Sequence, residues 1–279
     1  KVYWTDDGTN KIQRSDLDGS NLEDFITTGL SKPHGITIDM VNNRMYWTDI
    51  GTGRIRSSNL FGTGKNTLIT IDMPYGIAID PTNGKVYWTD DGTNKIQRCN
   101  LDGTSVEDLV TGLNAPRGMA LDVANNKMYW VDMGTDKIQS ADLDGANVQD
   151  LITSNLSIPY DIDLDLDANK MYWTDRGTDK IEQANLDGTS RQDFITTGLK
   201  GSVMAFVFAA LGGIVLGGAL AAWVLSKRWQ QQVVEVKEAL MELADKHQAE
   251  QLQNKELKQA LADARYQLGE AKKDLAARS

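Results

Sequence analysis

Few residues in this 279-residue chain have the chemistry to act on a substrate. Catalysis by acid, base or nucleophile needs suitable groups within hydrogen-bond reach of one another. The two histidines, His34 and His247, stand in different regions. There is no Gly-rich phosphate loop, no His-Glu-x-x-His and no nucleophile elbow around a serine. The single cysteine, Cys99, permits neither an intrachain disulfide nor a thiolate metal cluster. The densest acidic run is Asp161-Ile162-Asp163-Leu164-Asp165-Leu166-Asp167. As a strand it would place all four carboxylates on one face, an oxygen set suited to a hard cation. Its spacing is not that of an EF-hand, and a solvated strand face is the simpler reading. No residue set points to a cofactor.

A second set of candidates emerges from comparing parts of the chain with one another. Tyr3-Trp4-Thr5-Asp6 recurs at Tyr46–Asp49, Tyr87–Asp90, Tyr129–Asp132 (with Val131 for threonine) and Tyr172–Asp175. The spacing is near 42 residues, the mark of an array of like units. Positions constant across units are architectural, since one active site does not need five copies. Two positions vary freely. After each tetrad stand Asp7, Ile50, Asp91, Met133 and Arg176; after each proline between units stand His34, Tyr75, Arg117 and Tyr160. These nine are the candidate binding ring, because Tyr, Arg and exposed apolar residues dominate interface energetics. Drift at loop positions is the plain alternative.

The elements that must position them follow from the third unit. Pro74–Asp80 alternates as a strand, Asn83-Gly84 is a hairpin turn, and Lys85–Asp90 is rich in β-formers. Lys95–Leu101 and Val106–Val110 complete four strands, separated by Asp-Gly turns. Four short strands per unit describe a propeller blade. Five units, the first without its Pro-x-Gly strand, predict 19 strands, a truncated or five-bladed ring and an exposed edge. Cys99 aligns with Ser15, Ser57, Ser140 and Ala184, all small, which makes it a packing residue.

The tetrad, the Leu-Asp-Gly turn and the Pro-x-Gly-Ile-x-Ile-Asp strand resemble the class B (YWTD) repeats of the low-density lipoprotein receptor family over residues 1–199. The near-identity of Lys1–Arg14 and Lys85–Arg98 is similar to bacterial members. The resemblance implies a six-bladed β-propeller that binds protein ligands and is not an enzyme. Five motifs here depart from six. A sugar-lactonase type of propeller enzyme lacks any dedicated acid, base or metal set in this sequence.

Charge divides the chain. Residues 1–200 hold 19 Lys and Arg against 30 Asp and Glu, while residues 201–279 hold 10 against 9. The acidic repeats argue against nucleic acid and suit solubility or a cationic partner. Residues 200–202 read as a linker. Residues 203–225 carry no charge and as a helix measure about 35 Å, enough to cross a bilayer core of about 30 Å. Ala209, Gly213, Gly217 and Ala221 give that helix a small-residue face for self-association. Trp223, Lys227, Arg228 and Trp229 place its C-terminal end in the cytoplasm and the propeller outside. Residues 226–279 keep a 4-3 apolar spacing from Trp229 to Leu275, polar at His247, Glu250 and Asn254, as in a coiled coil. This part resembles the N-terminal anchor of bacterial membrane-tethered coiled-coil proteins such as the RmuC family, which leaves Gly201-Ser202 open as a junction between unrelated segments. The expectation is a single-span membrane protein, homo-oligomeric through its helices, that displays a protein-binding propeller. A structural scaffold joined through incomplete rings is the rival.

Overall fold

The computed structural model describes residues 1–196, and these form the five antiparallel sheets of an all-β propeller. The first sheet holds β1 (Val2–Asp6), β2 (Lys11–Ser15) and β3 (Glu23–Ile26). The second holds β4 (Pro33–Asp39), β5 (Arg44–Asp49), β6 (Arg54–Asn59) and β7 (Asn66–Thr70). The third runs β8 (Pro74–Asp80), β9 (Lys85–Asp90), β10 (Lys95–Asn100) and β11 (Glu107–Thr111). The fourth runs β12 (Pro116–Asp122), β13 (Lys127–Asp132), β14 (Lys137–Asp142) and β15 (Gln149–Ile152). The fifth runs β16 (Pro159–Asp165), β17 (Lys170–Asp175), β18 (Lys180–Asn185) and β19 (Gln192–Ile195). These are the 19 strands expected, each paired with its sequence neighbour. The expected membrane helix 203–225, with Ala209, Gly213, Gly217 and Ala221, and the expected coiled coil 226–279 lie outside the described residues.

The core consists of the seams between successive sheets. Tyr3, Ile12, Met45 and Trp47 fill the first seam, Tyr46, Val86, Trp88 and Cys99 the second. Tyr87, Met128 and Trp130 fill the third, Tyr129, Met171 and Trp173 the fourth. Trp47, Trp88 and Trp130 are wholly buried, which is why the tetrad tolerates no other residue there. Cys99 is buried among them, and burial pushes its thiol up to about 12, so it packs as a small apolar group.

A buried indole N–H needs an acceptor. Trp4, Trp88 and Trp130 donate to Gln13, Gln97 and Gln139 at 3.0–3.1 Å. Those amides donate in turn to Asp24, Asp108 and Asp150, which also hold Lys11, Lys95 and Lys137. Arg56 and Glu182 replace the glutamine in the second and fifth sheets, and there Trp47 and Trp173 Nε1 are buried without a partner.

The tetrad threonine fastens one sheet to the next. Thr48 Oγ1 accepts from Gly35 N at 2.7 Å and donates to Tyr75 O at 2.7 Å. Thr89 repeats this between Gly76 N and Arg117 O, and Thr5 donates to His34 O. The inner strands touch so closely that a methyl at Gly35 would stand 2.5 Å from Tyr75 O, and one at Gly76 2.6 Å from Arg117 O. Glycine is required at those two contacts because backbone cannot give way. The tetrad aspartate is equally structural. Asp49, Asp132 and Asp175 are buried, each accepting from its own turn and from the segment just before the inner strand of its own sheet.

Candidate functional site

The two loops that carry the variable residues are stitched together by backbone. Ile50, Asp91, Met133 and Arg176 donate their N–H groups to the carbonyls of Lys32, Met73, Ala115 and Ile158, each immediately before a proline. Lys32, Ala115 and Ile158 adopt positive φ, which places the proline and the residue after it at the centre. Side-chain acceptors from the preceding turn hold them there: Asn10 for Lys32, Asn94 for Ala115 and Asp136 for Ile158. The corresponding position in the second sheet is Gly53, which has no side chain, and Met73 is not left-handed. These backbone hydrogen bonds set the two variable loops side by side.

Six of the nine ring residues meet. His34 Nε2 and the Tyr160 hydroxyl share a hydrogen bond of 3.0 Å, joining the second sheet to the fifth across the centre. The His34 ring stands edge-on to Tyr75, with centroids 4.8 Å apart. Arg117 lays its guanidinium over the Tyr75 ring at 3.6 Å, and its Nη2 pairs with Asp91 at 3.1 Å. Arg176 lies over Tyr160 at 4.3 Å. Arg117 and Tyr160 are each 8% exposed, whereas Arg176 is open to solvent. Asp7 is exposed, and Ile50 and Met133 are half-buried on the same loops without entering the aromatic cluster. Burial holds His34 down to about 4, with Arg117 and Arg176 adding to the effect, so the imidazole is neutral near pH 7. Burial likewise pushes Tyr160 up to about 12. A neutral imidazole, two phenols and two stacked guanidiniums offer aromatic surface and hydrogen-bond donors; they are not arranged as a nucleophile and its base.

The aspartate run does not assemble as a single face of four. β16 ends at Asp165, so Asp167 falls in the following turn. Asp165 accepts from Ala168 N and caps that turn. Asp161 folds back into the seam with the fourth sheet. Its Oδ1 accepts from Ile162 N at 3.0 Å, and a methyl at Gly118 would collide with it. Burial raises its carboxyl to about 7. Asp163 is half-buried on the same strand. Among the described residues no group of three or more His, Cys, Asp or Glu could hold a metal ion. Asp161 stands where the other inner strands have glycine, and it faces the one sheet whose tetrad has Val131 in place of threonine. The two departures meet at one seam, and comparing the repeats singled out only the first of them as unusual.

Comparison with known proteins agrees with this architecture. The family described as low-density lipoprotein receptor repeat class B matches residues 1–40, 84–123, 126–166 and 169–203, more than half of the chain. Nidogen from Drosophila melanogaster is 44% identical over 45 residues, covering 16% of this chain and 3% of nidogen. Low-density lipoprotein receptor-related protein 4 from Homo sapiens is 39% identical over 44 residues, covering 16% of this chain and 2% of that protein. The chain thus spans only a few hundredths of the length of these curated relatives. Among solved structures, a chain of the nidogen/laminin complex superposes with a TM-score of 0.64 at 31% identity, over 68% of this chain and 76% of that one. A streptogramin B lyase superposes with a TM-score of 0.56 at 15% identity, over 69% and 67%, a likeness of fold alone. The chain belongs to the low-density lipoprotein receptor class B (YWTD) repeat family.

Proposed function

We propose that this chain is a non-enzymatic binding module that takes a protein ligand on the loop end where His34, Tyr75, Arg117, Tyr160 and Arg176 converge. One observation carries the reading. The repeated tetrads are consumed by the fold, tryptophan in the seams, threonine between sheets and aspartate in turns, while residues that differ from blade to blade gather at one place. Tyrosine and arginine held rigid by stacking present large contact area at small entropic cost. The similarity to a chain from a complex of nidogen with laminin supports a protein as the ligand class. The uncharged stretch 203–225 supports display of the module at a membrane, with the propeller outside and the helices self-associating.

Photo-cross-linking in extracts of the source cells tests this. A benzoyl-phenylalanine at Ile50 or Met133 is expected to capture a protein, and one at Phe61, at the opposite end of β6, is not. Arg176→Glu, on an exposed side chain, is expected to abolish the adducts. Capture only from position 61, or adducts indifferent to Arg176→Glu, overturns the proposal.

A further inference from the structure

Along its outer edge the second sheet departs from a rule that the other four keep. In those four an aspartate of the outer strand lies opposite the middle of its neighbour. Asp24 faces Gln13, Asp108 faces Gln97, Asp150 faces Gln139 and Asp193 faces Glu182. Lys11, Lys95, Lys137 and Lys180 close on those carboxylates at 2.5–2.8 Å. In the second sheet Thr67 lies opposite Arg56, and Arg54 stands in the place of the lysine. β6 and β7 therefore hold two cations and no carboxylate, whereas each other outer pair of strands holds two Asp or Glu. Arg56 turns aside to donate to Gly29 O, and among the described residues no carboxylate pairs with either arginine. Arg54 Nε and Trp47 Nε1 are buried there without an acceptor. β7 is also the last strand of its sheet, with Lys65, Asn66, Thr67 and Thr70 exposed. Charge on an edge strand guards it against pairing with another chain, and β7 carries none.

We infer that the free edge of β7 takes the outer strand β3 of a second copy of this chain, whose carboxylates reach Arg54 and Arg56 over Thr67. Strand addition draws affinity from the backbone and selectivity from the side chains. β3 fits because it alone among the outer strands opens with two exposed carboxylates, Glu23 and Asp24. Adjacent strands lie about 4.8 Å apart, so the Asp24 backbone of the second copy stands about 10 Å from that of Arg56. An extended arginine and a short carboxylate span that distance above a residue as small as threonine. Asp24 accepts from Lys11 and Gln13 in its own sheet, and a carboxylate has about four acceptor sites, which leaves room for a guanidinium. The chain carries a formal net charge of −10, so copies repel one another except where a cationic edge meets an acidic one. The two edges are different surfaces, so copies join head to tail and the series does not close as a two-fold dimer. This contact is independent of the loop end.

Sedimentation velocity of the full chain at rising concentration tests the contact. The wild type is expected to grow continuously beyond any closed oligomer its helices form. Thr67→Asp supplies the carboxylate within the sheet and charges the edge, and it is expected to stop that growth. Arg56→Gln, which restores the residue found in three other sheets and an acceptor for Trp47, is expected to reduce it as well. A blocked peptide copying residues 21–27 is the second probe, beside an analogue with Gln-Asn in place of Glu-Asp. Calorimetric titration is expected to show the acidic peptide at least about tenfold tighter on the wild type, and no such preference on Thr67→Asp. Growth that persists in both variants, or equal affinity of the two peptides, overturns the contact. Preference for the acidic peptide without growth of the chain gives the edge to an acidic strand of another protein and overturns the second copy.

Discussion

Replacing Asp161 by asparagine isolates the electrostatic cost of the seam between the fourth and fifth sheets. The carboxyl, raised to about 7 by burial, differs from an ordinary aspartate near 3.9 by about 4 kcal/mol at about 1.4 kcal/mol per pH unit. Below about pH 4 the carboxyl is protonated in folded and unfolded chains alike, and it costs nothing. Between 4 and 7 the unfolded chain ionises while the folded one keeps its proton, so stability falls as pH rises; above 7 the full cost is present. The residue keeps partial contact with solvent, which trims the figure to about 2–4 kcal/mol. Asparagine retains an Oδ1 to accept from Ile162 N and removes only the charge. Urea unfolding followed by fluorescence of the buried tryptophans, at pH 4.5 and pH 8.5, reads both proteins. Asp161→Asn should be close to wild type at the lower pH and more stable by about 2–4 kcal/mol at the higher. The same stability difference at both values refutes the reasoning.

His34 works in the opposite direction. Its folded value near 4 lies below the usual 6.5, so its contribution is present above 6.5 and is lost as pH falls through 4, by about 3 kcal/mol in all. His34→Gln should flatten that acid limb of the stability profile; an unchanged limb assigns it to other groups. Gly76→Ala drives a methyl to 2.6 Å from Arg117 O and 2.9 Å from Met119 N, both backbone. A loss of about 3 kcal/mol or more in chemical denaturation is expected, and a loss under about 1 kcal/mol would show that the inner strands are not so tightly set.

Much of the fold was legible because each blade solves the same problem with the same residues. The spacing of the tetrads places β1, β5, β9, β13 and β17, and the third unit's strands fall within a residue or so of expectation. The two variable positions were legible as candidates for a related reason: in a repeat, a residue excused from sameness has no architectural task. The interior of that site was not legible. Nothing in the sequence states that Arg117 stacks on Tyr75 and shares Asp91, since those contacts join different sheets. Nor did alternation reveal that Asp161 turns into a seam, because its room comes from Gly118, 43 residues earlier, which lacks a side chain. The Trp-Gln-Asp-Lys relay was likewise hidden, though the joint loss of glutamine at Arg56 and Glu182 could have flagged it.

The threonine hydroxyls link the inner strands in one direction, from Thr5 to His34, Thr48 to Tyr75 and Thr89 to Arg117, and the series stops at Val131. At that last step the inner strands lean on apolar packing of Val131, Ile162 and Trp173 instead. Apolar cohesion weakens on cooling, whereas hydrogen-bonded joints have no such dependence built in. The fifth sheet, which brings Tyr160 and Arg176 to the site, is therefore attached by the joint most sensitive to cold. The placing of those two side chains inherits a thermal dependence that the threonine-linked seams do not share.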